Sequence, residues 1–437
     1  MDLIGLDIGS SSIKGGRLNC RTGAIERVER EAFPGPLPAG SAGFFEVSPD
    51  AILAAAERVL ARISADGQPA QLRICSQMGG ILLVDGRGQA VTPYLSWRDQ
   101  RALFPQDDTG GQSFLDDLRQ RLGDDDFEEL GKELKPGSAL TLLAWLKQTG
   151  QLPEAVQPLT IGDFVISQLC GCEPRLHRTH ALGLLNLRNG DWHESVLDRC
   201  GLGGLKWPRL AGEHEVIGEW DCRGRAIPVY PAIGDQQAAL KGIRLRSEEL
   251  SLNISTGSQV SRITPEFQPG ACQTRCWFGG QFLNTVTHIP AGRSLTVLFE
   301  LLTELGGGGD ESAAWRRIAQ LVDQSAGTGL QCDLSFFAAA TGDSGTITGI
   351  STENLTVGNL FYSAFAFMAD SYYRFAIQLD PAQKWDQLAV SGGLVQRFET
   401  LRRLLQARFG CGMREVTAEE ETLSGLLNLA EECGDGL

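Results

Sequence analysis

Two aspartates stand where apolar strand patterns stop: Asp7 in Leu6-Asp7-Ile8-Gly9-Ser10-Ser11-Ser12, and Asp235 in Ile233-Gly234-Asp235-Gln236. A carboxylate ending a buried strand beside a glycine turn can hold a divalent cation, directly or through its water shell. It can equally cap the turn. At a strand-to-helix junction the helix-end N–H groups favour the ionised carboxylate, which predicts that Asp235 is charged and able to accept a hydroxyl proton. The same position is a favoured helix N-cap. Two turns of glycine and small hydroxyl residues, Gly9-Ser10-Ser11-Ser12 and Ser255-Thr256-Gly257-Ser258, let backbone N–H groups approach phosphate oxygens. Either turn alone is an ordinary hairpin. Together the parts match the needs of phosphoryl transfer, namely a phosphate clamp, a cation ligand in Asp7 and a base in Asp235. Ser391-Gly392-Gly393, after the short apolar run 388–390, would admit a flat ring against its backbone, or serve as a plain loop.

These residues require elements to position them. Leu3 to Ile8 and Ile13 to Leu18 read as an opening hairpin. Ser48-Pro49-Asp50 is an N-cap, a first-turn proline and an early acid ahead of a helical face of Ile52, Leu53, Val59, Leu60 and Ile63. Strands are expected at 72–75, 81–84 and 227–233, with a helix from Gln236 onward. Residues 105–135, rich in acids, suit a solvated helical insertion without a catalytic role. The aromatic stretch from Phe361 to Ile377 reads as a buried helix, and another helix should run from about Phe398 to Phe409 and end at Gly410. Leu250 to Ile263 repeats the strand, turn and strand of the N-terminus, with Asn253 at the place of Asp7. A repeat so widely spaced implies duplication of a whole domain rather than a solenoid. Two units are predicted, 1–243 and 244–437.

Composition bounds the function. At 437 residues the chain exceeds one ordinary core, and two lobes imply a cleft. The formal net charge of −15 disfavours nucleic-acid and membrane partners, although a cation and backbone N–H groups can still collect a nucleotide locally. The opening residues lack the basic start and long apolar core of a secretory signal, so a cytoplasmic location is expected. Eleven cysteines are then expected as free thiols. Cys170, Cys172, His177 and His180 offer four zinc ligands, but in a spacing unusual for structural zinc, which favours packed thiols and surface imidazoles.

In this order the segments resemble the FGGY carbohydrate kinases over nearly the whole chain. Gly5 to Lys14 is similar to the family's first phosphate motif, and Gly234-Asp235-Gln236-Gln237-Ala238-Ala239 to its catalytic-aspartate motif. The resemblance implies an α/β architecture of two actin-like (ribonuclease H-like, hexokinase/Hsp70-type) domains, sugar on the first and nucleotide on the second. It implies ATP and Mg2+ as cofactors, with Asp7 at the metal and Asp235 as base and sugar contact. Ser10, Ser11, Ser12, Lys14, Thr256, Gly257, Ser258, Gly392 and Gly393 would hold the nucleotide. Ser76-Gln77-Met78-Gly79-Gly80 and Leu95-Ser96-Trp97-Arg98-Asp99-Gln100-Arg101 look like sugar-binding segments, which assigns Gln77, Met78, Trp97 and Asp99 to the acceptor. Read without the resemblance, Met78 and Trp97 are core residues and Asp99 with Arg101 a surface ion pair. Ile161 to Gly171 and Leu252 to Ser258 look closest to the sedoheptulokinase branch, which points to a ketose such as sedoheptulose or xylulose. Two features depart from the pattern. Gly79 stands where many relatives have His, and Leu394 and Arg397 occupy the third-glycine and Asn places of the adenine motif. A homodimer is compatible with this reading. The competing reading is a nucleotide-binding sugar sensor or ATPase of the same fold.

Overall fold

The computed structural model describes residues 2–38, 40–65, 67, 69–105, 111–304, 310–416 and 420–432. Its first sheet is built on β1 (Asp2–Ile8), β2 (Ser12–Asn19) and β3 (Ala24–Ala32), an antiparallel meander. After α1 (Pro49–Ile63) the chain adds β4 (Leu72–Ser76) parallel to β1. α1 begins as its sequence dictates, with Ser48 Oγ accepting from the Ala51 N–H at 3.2 Å and Pro49 in the first turn. The helices that follow include α2 (Phe114–Glu129) and α3 (Ile161–Cys170). Then β5 (Ala226–Val229) and β6 (Ile233–Gly234) both pair parallel to β4. The single strand expected over 227–233 is thus two pieces, separated by the Tyr230-Pro231 step, where proline offers no N–H to a ladder.

α4 (Asp235–Gly242) leads out of this sheet into a second one. There β7 (Glu249–Ile254), β8 (Ser258–Thr264) and β9 (Phe282–Ile289) form another antiparallel meander. The long helix α5 (Val357–Leu379) precedes β10 (Gln387–Ser391), which lies parallel to β7. α6 (Gly393–Arg397) and α7 (Glu399–Phe409) lead to β11 (Gly412–Glu415), parallel to β10. The orders β3-β2-β1-β4-β5 and β9-β8-β7-β10-β11 are the same topology drawn twice. The duplication anticipated from the paired turns is therefore a property of the whole sheets. α5 is buried along Phe361, Phe365, Met368 and Tyr372 within the second core, and α7 ends on the left-handed Gly410. Gly393, expected in a loop, instead opens α6.

The last helix, α8 (Glu421–Glu432), does not stay with the second sheet but packs on α4, β1 and β2 of the first. A Cβ on Gly425 would lie 1.8 Å from the Ala238 carbonyl oxygen, and one on Gly242 would lie 1.9 Å from that of Glu421. Only two glycines allow these backbones to meet so closely. The C-terminal segment assigned by sequence to the second unit therefore contributes a helix to the first.

Among the described residues no helix is long and apolar enough to cross a membrane. The ten described cysteines are free. The four-ligand zinc cluster does not form. His180 Nε2 lies 3.1 Å from Ser76 Oγ, while His177 faces Thr179 and Glu213. Both histidines are buried rather than on the surface. Residues 106–110 of the acidic insertion lie outside the described residues; its helix is α2, kinked at Gly123 (φ 80°).

Candidate active site

Parallel strands bring their carboxyl ends to one edge, where open α/β sheets form their crevices. Register makes Ile8, Ser76 and Gly234 level across β1, β4 and β6, so the residues around those ends share one rim. Asp7, Gln77 and Asp235 are on it. In the second sheet Asn253 and Ser391 occupy the matching edge, joined by the Asn253 Nδ2 donor to Ser391 Oγ at 3.0 Å. Between the two edges lies a cleft of about 640 Å³. Of the residues expected from sequence, Ser10, Met78, Trp97, Asp235, Gly257 and Ser258 line it.

Asp235 is the first residue of α4, with Gly234 as the N-cap. Its Oδ1 accepts from the Gln236 N–H at 2.8 Å. Contrary to the expectation of a carboxylate held ionised by the helix end, Asp235 is pushed up to about 7. Burial is the larger cause and the negative charge of Asp7 the next, and together they outweigh the helix N–H groups. A carboxyl poised there can exchange a proton with a substrate hydroxyl near neutral pH.

Asp7 lies beneath the cleft, nearly buried on β1. Its Oδ2 accepts from Thr422 Oγ1 at 2.8 Å, the second residue of α8, and faces Lys14 Nζ at 3.1 Å. Its Oδ1 is buried without a hydrogen-bond partner. A buried carboxylate oxygen without a hydrogen-bond partner beneath the cleft can serve a divalent cation directly or through its water shell, so Asp7 fits the cation expected from sequence. Lys14 is held between two carboxylates, 3.1 Å from Asp7 and 3.2 Å from Glu420 Oε2.

The remaining expected residues divide. Ser11 and Thr256 are exposed at the tips of the paired turns, Ser12 is partly buried, and Ser258 Oγ is 2.8 Å from the Tyr372 hydroxyl. Gly392 (φ 102°) sits against β7, where a Cβ would lie 2.2 Å from the Ile254 carbonyl oxygen; a Cβ on Gly393 would meet nothing. Of the two departures, Leu394 packs against the second core and the Arg397 guanidinium lies 5.8 Å from the Trp315 ring centre. Gln77 is buried behind the lining, and neither end of its amide has a partner.

Asp99 is a correction. It is fully buried, and both oxygens are taken, Oδ1 by the Arg101 N–H and Nε at 2.9 Å each, Oδ2 by the Phe45 N–H and Arg101 Nη2 at 2.8 Å each. Arg101 Nη2 also donates to Glu46 Oε1 at 2.6 Å. The pair is internal, not a surface ion pair, and nothing of Asp99 is left for a substrate. Asp99 instead fixes the loop that presents Trp97, which is 42% exposed and forms a wall of the cleft.

Sequence reasoning missed a cluster that lines the same cleft. Arg275 Nε donates to Glu133 Oε1 at 2.5 Å and its Nη1 to Gln236 Oε1, while Lys135 Nζ lies 3.5 Å from Glu133 Oε2. His288, left-handed at φ 61°, lines the same space. Burial lowers the proton affinity of both Lys135 and His288. Glu133 and Lys135 lie in the insertion from which catalysis was not expected. Gly137 packs directly on the Trp97 backbone, where a Cβ would come within 2.1 Å of the Trp97 carbonyl oxygen.

The sequence profile of the FGGY family of carbohydrate kinases, N-terminal domain, matches residues 3–242. Among characterised proteins, human (Homo sapiens) sedoheptulokinase is 23% identical over 273 residues, covering 57% of this chain and 57% of the relative. Gluconokinase of Bacillus subtilis (strain 168) is 23% identical over 207 residues, 46% of this chain and 38% of the relative. The chain thus matches about half the length of these relatives or less. Similarity of fold extends further. Xylulose kinase from Rhodospirillum rubrum superposes with a TM-score of 0.88 at 18% identity, over 100% of this chain and 91% of the other. Gluconate kinase from Lactobacillus acidophilus gives 0.87 at 17% identity, over 100% and 90%. The two-domain α/β fold is shared with these structures.

Proposed function

The chain belongs to the FGGY family of carbohydrate kinases, and on that premise we propose that it transfers the γ-phosphoryl group of ATP to a hydroxyl of a sugar, with Asp235 taking the proton. The observation that carries this reading is Asp235 itself, a carboxyl at about 7 on the floor of the cleft between two matched glycine-hydroxyl turns. Magnesium, when bound, would supply the positive charge that phosphoryl transfer requires. Asp7 would hold it through the unpartnered Oδ1, with Thr422 fixing the other oxygen. The turns at Ser10 to Ser12 and Thr256 to Ser258 would hold phosphate oxygens through N–H and hydroxyl donors, and the step at Gly392-Gly393 would take the purine. Met78 and Trp97 would support the apolar face of the sugar while closure of the two lobes excludes water.

The acceptor is a polyhydroxylated sugar, and the sequence resemblance favours a ketose such as sedoheptulose or xylulose. Arg275 and Lys135 set two cations against the single carboxylate of Glu133 at that end of the cleft. Sugar acids therefore belong in the same assay. ADP release is to be measured with Mg-ATP and a panel of ketoses, polyols, glycerol and aldonates. At least one acceptor should accelerate ADP release over the acceptor-free rate by orders of magnitude. ADP release that no acceptor changes would instead support the ATPase or sensor reading.

A further inference from the structure

A second set of ligating side chains lies outside the cleft. Asp126 and Glu129 stand three residues apart on α2, so both carboxylates leave the helix on one face. His193, the N-cap of the short helix Glu194–Arg199, packs against that face. One ligand atom from each of the three lies within 4.8 Å of the others, the one such group of His, Cys, Asp and Glu among the described residues. His193 Nε2 is 3.1 Å from Glu129 Oε2 and 4.0 Å from Asp126 Oδ1. A tetrahedral zinc site with bonds near 2.0–2.1 Å spaces its ligands by roughly 3.3 Å.

His193 is 3% exposed, and its Nε2 is buried without a hydrogen-bond partner, because the approach to Glu129 lacks hydrogen-bond geometry. The atoms around it are oriented as outer partners orient metal ligands. Arg199 Nη2 pairs with Asp126 Oδ2, leaving Oδ1 toward the histidine. Arg188 Nε donates to Glu129 Oε1 at 2.7 Å, leaving Oε2 inward, where Asn186 Nδ2 donates at 2.9 Å. The other ring nitrogen of His193, Nδ1, lies 3.3 Å from Ser195 Oγ, which sets the ring plane. The three open onto a polar recess of about 360 Å³ that Asp191 and Glu194 also line, with room for water to complete a coordination sphere.

We propose that Asp126, Glu129 and His193 bind one divalent transition-metal ion of the zinc type, with water as the remaining ligand. The recess shares no lining residue with the cleft, and the ion would clamp the inserted helix α2 to the segment 186–199. Mixed imidazole and carboxylate donors suit Zn2+ or Co2+ over Mg2+. This holds whether or not the kinase reading does.

The test loads metal-stripped full-length protein with Zn2+ and, in parallel, Co2+, and reads stoichiometry by elemental analysis, affinity by calorimetry and stability by thermal melting. The expected result is one ion per chain and a raised Tm. The Co2+ spectrum should lack thiolate charge transfer, which excludes the cysteines as ligands. Glu129→Gln and His193→Asn should each weaken binding by on the order of 10-fold or more. Both variants are compared as folded, metal-free proteins, and Glu129→Gln, altered at the more exposed side chain, covers the case in which the buried histidine variant does not fold. Absence of stoichiometric uptake, thiolate ligation, or unchanged affinity in a folded variant would each overturn the assignment.

Discussion

A single charge balance decides what each carboxyl here can do. Asp99 faces a guanidinium and a backbone N–H and is used up in structure, whereas Asp235 faces burial and the charge of Asp7. Removing Asp99 leaves Arg101 buried with only Glu46, so Asp99→Ala should destabilise the protein by about 3 kcal/mol, a cost typical of breaking a buried pair. Its sugar KM, measured on folded protein, should stay within a few-fold of the parent. A loss of acceptor binding with unchanged Tm would restore Asp99 to the sugar site. For Asp235 the linkage runs the other way from an ordinary paired acid. Its folded pKa, about 7, exceeds the reference 3.8, so folding favours the protonated form and stability is lost as pH rises from about 4 through about 7. Asp235→Asn never carries that charge. Its Tm should match the parent near pH 4 and exceed it near pH 8, and equal melting curves at both pH values would show that the carboxyl is not strained by burial. Both aspartates were legible as candidates from residue type and position. Their environments were not, because Phe45, Asp7 and Arg275 reach them from remote parts of the chain.

Elements were legible where their causes are local. Ser48-Pro49 starts α1, Gly410 ends α7, and the paired glycine-hydroxyl turns close the two hairpins, all from neighbours in sequence. The misread elements had non-local causes or a local cause that was overlooked. Pro231 was in view and still breaks the run assigned to one strand, while α8 finds its place only through contact with α4, β1 and β2, all remote in sequence. That contact is the means by which Thr422 reaches the cleft, since it sets Thr422 on Asp7. Gly425→Ala should force the two backbones apart where a Cβ would lie 1.8 Å from the Ala238 oxygen. Overpacking of this kind costs on the order of 1–3 kcal/mol. A lowered Tm should accompany a raised magnesium requirement, because Thr422 would be displaced from Asp7. If Tm falls while the magnesium dependence is unchanged, α8 supports the fold without positioning Asp7.

At the scale of the molecule, duplication was readable because the same strand, turn and strand recur at Asp7 and Asn253, and the two sheets repeat one topology. How the halves face one another was not readable. Glu133, Lys135, Arg275 and His288 meet along the cleft from three separate segments and carry no periodic or motif signal. Gln236 and Gln237 join the lobes, the first through Gln259 Oε1 at 3.1 Å and the second through the Cys276 carbonyl at 3.1 Å, so α4 ties Asp235 to the second sheet. The account therefore rests on Asp235 acting in a cleft whose two walls remain intact without its charge. The direct measurement is steady-state kinetics of Asp235→Asn with Mg-ATP and the best acceptor of the panel. The prediction is a kcat lowered by roughly 10² to 10⁴ with KM for ATP and acceptor within a few-fold of the parent, the range expected for loss of acid–base catalysis. Near-normal turnover in that variant would contradict the account and leave Asp235 a helix-start residue.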